Sequence, residues 1–488
     1  EAVFCILDNT ATTIDVTGDA GGAVVSGATY AVLDFHISAG SPAIAASSET
    51  PVAYDCDGEP RDFPPDIGID EFIDTDGDTL ADAHEAELGT DPDAMDSDGD
   101  GDWDGEEVAG GTDPLDPDIR VGPWFVDAAN QSGTEDGASW ATAFTTVQQG
   151  IDAAHAAGGA RVWVAAGTYH PTATIPASHR DARLRTFVMH SKVRAYGGFA
   201  GTETRLDQRD LATNPTILSG DIGARNELGD NCYHVIVYDN VVQARLDGFT
   251  ITAGQGLRNS ESDEGSGGGM YCSATDATNV MAGCTISGNA ATVGGGVHCR
   301  YGAPVFTDCT ISENTADWGG GGVWVTNATA MFTGCRIIDN ESAESGGGIY
   351  GSSSSFTVVG CTISGNKADP TGNGRGGGVY SVAGSSFEMR DTQVTANVAG
   401  CAGAGIWQDY FLSAEFTNSV IADNVLDGVE QSGGAGMECT SSRDGARVTV
   451  TNCTVSRNSA QAGQPGGIRA QADDITIKNC IVWGNTGE

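Results

Sequence analysis

The chain has 488 residues, 70 of them glycine, and a formal net charge of −44 at pH 7. Such a charge argues against nucleic acid and anionic membrane surfaces as partners and favours divalent cations. No apolar run is long enough to span a bilayer, so no membrane insertion is expected, and no signal peptide opens the chain, which reads as a processed or excised piece.

An acidic stretch at residues 73–119 carries the first regular spacing. Asp74, Asp76, Asp78, Leu80, Asp82 and Glu85 fall where a twelve-residue calcium loop places its ligands, and Asp96, Asp98, Asp100, Asp102, Asp104 and Glu107 repeat the spacing. A tight loop turns every second side chain inward, so these carboxylates converge. Ca2+ takes about six to eight oxygens, including one backbone carbonyl, here that of Leu80 in the first loop and Asp102 in the second, and a bidentate glutamate. Gly101 supplies the sharp turn in the second loop, where the first has Thr79. Without metal the carboxylates repel one another and the segment is loose; with Ca2+ it stiffens into a short rod.

Residues 120–488 open with an amphipathic helix predicted over 142–157, with Phe144, Val147, Ile151 and Ala154 on one face and Gly158-Gly159 at its end. The strand Arg161–Ala165 follows, and the helix reads as a cap, because an open sheet end pairs with anything. From about residue 267 a unit repeats. Cysteine-led segments end in asparagine (Cys284–Asn289, Cys309–Asn314, Cys335–Asn340, Cys361–Asn366, Cys453–Asn458, Cys480–Asn485), and glycine triplets with an aliphatic and often an aromatic residue lie between them. Successive asparagines at 289, 314, 340, 366, 397, 424, 458 and 485 are 25 to 34 residues apart. A fixed period of this size means stacked units, each too small to bury a core alone.

Three short strand-like runs per period, such as 321–326, 330–333 and 335–338, predict an all-β, three-faced parallel solenoid with coils about 4.8 Å apart. Cys284, Cys309, Cys335 and Cys361 then stack inside, with Ile286, Ile311, Ile337 and Ile363 beside them and the asparagines at a corner. Most of the 13 cysteines read as buried free thiols. Cys272 and Cys299, in equivalent positions of neighbouring coils, are candidates for a disulfide. Tyr271, His298, Trp324, Tyr350, Tyr380 and Trp407 share one position, next to inward aliphatics, so their rings point outward. They form either a strip for sugar rings or another domain, or a cover for the glycine-rich turns.

The cysteine-to-asparagine strands and glycine triplets resemble the repeats of right-handed parallel β-helix proteins of the pectin-lyase-like superfamily. They are most similar to bacterial polymorphic outer membrane protein repeats, with GGG or GAG in place of GGA and CxIxxN in place of FxxN. The acidic stretch resembles bacterial thrombospondin type 3-like calcium repeats. Residues 1–72, with Phe4–Asn9 and the segment 30–72, resemble the closing part of the same β-helix family, yet come first. The order is thus closing segment (1–72), calcium linker (73–119), then cap and coils (120–488).

This order implies head-to-tail completion of neighbouring copies, as tandem repeats or separate subunits, and so a fibre of self-association. The expected function is a structural repeat unit of an extracellular, Ca2+-stabilised filament or giant surface protein. Two other functions stay open: a carbohydrate-binding adhesin, and a polysaccharide lyase or hydrolase. The coils show no clustered Asp-Asp pair and no basic-residue signature of such enzymes, and Asp247 and Asp308 read as turn or edge residues. The expectation is therefore no enzymatic activity, no catalytic residue and no cofactor beyond Ca2+.

Overall fold

A computed structural model describes residues 5–10, 13–17, 75–76, 80–94, 97, 104–110, 113–115, 123–174, 181–225, 227–257, 263–370, 372–428, 433–460 and 463–487. The chain divides into two compact units, residues 1–120 and 121–488. Within the first, Cys5–Thr10 and Thr13–Thr17 pair antiparallel. The rest of the expected closing segment, residues 1–4, 11–12 and 18–72, lies outside the described residues. Two short helices follow, Asp82–Leu88 and Asp104–Gly110.

The second unit is the predicted solenoid. One coil runs Val323–Thr326, Thr329–Thr333, Arg336–Ile338 and Glu341–Ser342. Each of these strands pairs in parallel with its equivalents one coil before and after, and among the described residues this builds three long faces of 11, 12 and 11 strands, with only Ala173–Thr174 antiparallel at the edge of the first. A fourth, narrow sheet of six strands forms after the asparagine corner, from Ala290–Val293 to Val425–Leu426. It was not predicted, because a two-residue strand such as Glu341–Ser342 shows no alternation to read.

The inward ladders follow the period. Ile286, Ile311, Ile337, Ile363, Val394, Ile421 and Val455 are in register and have no exposed surface. Phe306 stacks on Phe332, and Phe356 on Phe387, along the second face. At the corner after the third face every asparagine is linked to the next. Asn289, Asn314, Asn340, Asn366, Asn397, Asn424 and Asn458 each donate Nδ2 to the Oδ1 of the following asparagine at 2.8–3.1 Å. Each also donates its backbone N–H to that same oxygen. Eight asparagines therefore satisfy buried turn backbone that would otherwise be costly to leave unmet.

The glycine triplets are explained by one coil. Gly346 has φ +66°, a backbone conformation that L side chains avoid. A Cβ on Gly347 would lie 2.4 Å from the Lys367 carbonyl oxygen, and one on Gly348 2.6 Å from that of Gly378. The triplet therefore lets consecutive coils approach backbone to backbone.

The cap is present but shorter than predicted. The helix spans Val147–Ala156, with Thr146 as its N-cap in a reciprocal bond with Gln149. Val147, Ile151 and Ala154 are buried as expected. Phe144 lies outside the helix because it bridges Val126 in parallel, and its ring stacks on Trp124. Gln148 closes the sheet edge beneath: its side chain accepts from Val188 N at 2.9 Å and donates to Val188 O at 3.1 Å.

Candidate metal loops and the outer aromatic ladder

Each acidic loop is closed by a carboxylate at the start of its helix. Asp82 accepts from Thr75 N at 2.8 Å and from Thr75 Oγ1 at 2.6 Å. Asp104 accepts from Ser97 N at 2.8 Å and from Ser97 Oγ in the same way. Two predicted ligands thus also brace their loops, each carboxylate accepting through both of its oxygens. The spacing could not reveal this, since Asp serves equally as a ligand or as an N-terminal helix partner. The two units also end alike. Gly89 caps the first helix with φ +87° and donates to Glu85 O at 2.7 Å. Asp91 and Asp113 each turn the chain by accepting from a backbone N–H two residues on.

Glu85 and Glu107, the predicted bidentate ligands, have 0% and 2% exposure. Holding carboxylates away from water is expensive unless cations or donors meet them, and this happens at equivalent places in both units. The donors on offer are all oxygens: these glutamates, Asp76 and the Leu80 carbonyl. Such a set fits a hard cation. The other predicted ligands, Asp74, Asp78, Asp96, Asp98, Asp100 and Asp102, lie outside the described residues. Among the described residues, no three His, Cys, Asp or Glu side chains converge on one metal position.

The outer aromatic ladder exists, and its geometry favours a cover for the glycine-rich turns over a sugar strip. Val297, Val323, Ile349, Val379 and Ile406 point inward with no exposed surface, so the neighbouring rings point out of the coil. The rings then turn flat against one another along the axis. Trp324 and Tyr350 stack with centroids 3.8 Å apart and planes at 2°; Tyr350–Tyr380 and Tyr380–Trp407 both follow at 4.6 Å. Their π faces are therefore occupied by each other. Gly319, at the end of its short-sheet strand, approaches Trp324 and Tyr350, and Cys401 and Ala402 pack on Trp407. Tyr271, His298 and Trp407 are buried. The rings cover the glycine-rich turns.

His298 is buried in this ladder, and among the described residues neither ring nitrogen has a hydrogen-bond partner. Burial holds its pKa down, to about 3, with help from the neighbouring positive charge of Arg300. Past Trp407, the ladder position is taken by buried Glu438, paired with Arg469 at 2.7 Å. Asp247 is not the turn or edge residue expected. It ends a central strand with its carboxylate buried between Arg209 and Arg245, at 2.7 Å from each. Asp308 does occupy a corner, with φ +51°.

The cysteine ladder is built from free thiols. Cys309, Cys335 and Cys361 donate to the carbonyls of Met281, Phe306 and Phe332 at 3.2–3.4 Å. Cys272 and Cys299 are in register and fully buried, and both are free. Among the described residues, no helix is long and apolar enough to cross a membrane.

Comparisons with known proteins agree with this layout. Residues 227–398 match the family described as a right handed beta helix region, and residues 74–92 and 96–117 match the bacterial TSP3 repeat. No curated protein matches the chain. Among solved structures, pectate lyase Pel9A is 12% identical with a TM-score of 0.44, over 74% of this chain and 79% of that one. A rhamnogalacturonan lyase is 12% identical with a TM-score of 0.40, over 74% and 87%. PfbA, a surface adhesin of Streptococcus pneumoniae, is 10% identical with a TM-score of 0.32, over 69% and 86%. The chain carries a right-handed parallel β-helix region and, before it in sequence, two bacterial TSP3 repeats.

Proposed function

We propose that this chain is a structural repeat unit of an extracellular, Ca2+-stabilised β-helix filament or giant surface protein, whose copies join head to tail. The observation that carries this reading is the asparagine ladder. Every coil from Asn289 to Asn458 donates forward to the next one, so the pattern has a direction and repeats without closing on itself. Contacts of that kind propagate along an axis, and stacked coils sum their stability through nearest neighbours. The TSP3 match supports calcium binding in the acidic segment. Glu85 and Glu107 would hold the ions, with Asp76 and the Leu80 carbonyl in the first repeat. Calcium would supply the positive charge that each buried glutamate needs.

Limited proteolysis of the full chain tests the calcium part. Cleavage within residues 73–119 is expected to be fast in chelator and slow in millimolar Ca2+, with the coils resistant in both. Equal cleavage in both conditions would count against a metal-stiffened linker. A carbohydrate-binding adhesin is the second reading, and the observation favouring it is a surface groove described next rather than the aromatic ladder.

A further inference from the structure

We propose that the corner between the first and second faces binds an uncharged pyranose oligosaccharide of three to four units. Six successive coils make this corner with one residue in the left-handed region: Ala274, Tyr301, Asn327, Ser353, Ala383 and Tyr410, with φ between +48° and +60°. Register places them in one column, since Arg300, Thr326, Ser352 and Val382 pair coil to coil just before it. Small or polar residues suit such a position. A tyrosine there is costly, and these two rings gain little packing in return, being 54% and 51% exposed. Folding alone does not account for them.

Between the two tyrosines the corner is notched. The side chains there are small, Asn327 to Thr329 and Ser353 to Ser355, between the exposed rings of Tyr301 on one side and Tyr410 on the other. The result is an open surface depression of about 300 Å³ lined by Asn327, Ala328, Thr329, Ser353, Ser355 and Gly384. Its floor offers amide and hydroxyl groups. Each end is an exposed ring with an arginine on its face: Arg300 over Tyr301 at 4.7 Å, and Arg443 over Tyr410 at 6.0 Å. Arg443 also reaches across Gly384, where a Cβ would come within 2.7 Å of its Nη1.

This chemistry selects the ligand. Exposed tyrosines receive the C–H faces of sugar rings, and a hydroxyl-rich floor bonds their hydroxyls. The two tyrosines are four coil rises apart, about 19 Å at ~4.8 Å per rise, and one rise is close to the length of one pyranose unit. The floor has no apolar pocket for a peptide side chain. The net charge of −44 disfavours a polyanion. The site is independent of the filament reading, because it uses neither the acidic loops nor the ends of the solenoid.

Isothermal titration of the full chain with cellotetraose, chitotetraose and mannotetraose, one at a time, tests the site. At least one should bind in the millimolar range or tighter. Tyr301→Ala and Tyr410→Ala should each weaken that binding about 5- to 10-fold, and Ser353→Trp, which fills the notch, should abolish it, with unchanged thermal unfolding for all three. Failure of all three sugars to bind, or equal binding by wild type and variants, overturns the proposal. Neither result bears on whether the rods polymerise.

Discussion

Replacing Asn340 by alanine is the sharpest test of the ladder. Its side chain is fully buried. Its Oδ1 accepts from Asn314 N at 3.1 Å and from Asn314 Nδ2 at 3.0 Å. Its Nδ2 donates to Asn366 Oδ1, Ile311 O and Ile338 O at 3.0, 2.9 and 3.1 Å. The substitution removes all five bonds and strands the Asn314 N–H in the interior. Each such bond contributes roughly 1 kcal/mol net, and each buried group left unmet costs about 1–3 kcal/mol. Asn314 Nδ2 keeps its bond to Ile286 O at 2.9 Å, so at the Asn314 end the loss is two bonds at roughly 1 kcal/mol each and one unmet N–H at about 1–3 kcal/mol, about 3–5 kcal/mol together. In a solenoid the loss stays local, so native-state hydrogen exchange is the assay. Protection of the Asn314 amide should fall by about two to three powers of ten, with Asn424, three coils away, barely affected. A fall of less than tenfold would refute the view that the ladder holds coil to coil.

Further outcomes follow from the same geometry. Gly348→Ala should unfold or severely destabilise the solenoid, since its Cβ would sit 2.6 Å from the Gly378 carbonyl oxygen; a normal melting temperature would contradict this. Tyr350→Ala removes a ring stacked on both sides, at 3.8 and 4.6 Å. It should cost about 3 kcal/mol in denaturant unfolding and flatten the near-ultraviolet circular dichroism. His298, held to a pKa of about 3 against an ordinary 6.5, is neutral when folded. Between those values the unfolded chain binds the extra proton, so stability is full above pH 6.5 and is lost as pH falls toward 3. His298→Tyr should therefore melt at a temperature less sensitive to pH between 6.5 and 4 than wild type, and an identical slope would count against it. Glu85→Gln and Glu107→Gln should each weaken calcium binding at least tenfold by calorimetry, whereas unchanged affinity would remove these glutamates from the ligand set.

Much of the solenoid was legible because it is written once per coil. The interval between asparagines predicts stacking, and Ile286 to Ile363 and Cys284 to Cys361 fall on the inward side where alternation puts them. What could not be read lies between the asparagine corner and the glycine triplets. That stretch varies in length, and its two-residue strands, such as Lys367–Ala368, carry no pattern. It also packs against the aromatic ladder, so the outward direction of Trp324 and Tyr380 was legible while the choice between an open strip and a cover was not. The start of the cap was misplaced for a related reason: Phe144 fits the helical face by spacing, but pairing with Val126 takes it instead. In the acidic segment the spacing predicts a cation loop, yet it does not reveal that Asp82 and Asp104 also brace their loops through Thr75 and Ser97. The corner tyrosines were invisible because their significance lies in a left-handed turn that only coordinates reveal.

The central claim is a calcium-stiffened rod built from end-to-end copies. Electron microscopy of the purified protein, imaged in millimolar Ca2+ and again after a chelator, tests it most directly. Straight thin rods whose lengths are multiples of one unit, turning into bent chains when calcium is withdrawn, are the predicted result. Separate particles of one length and one shape in both conditions would contradict it.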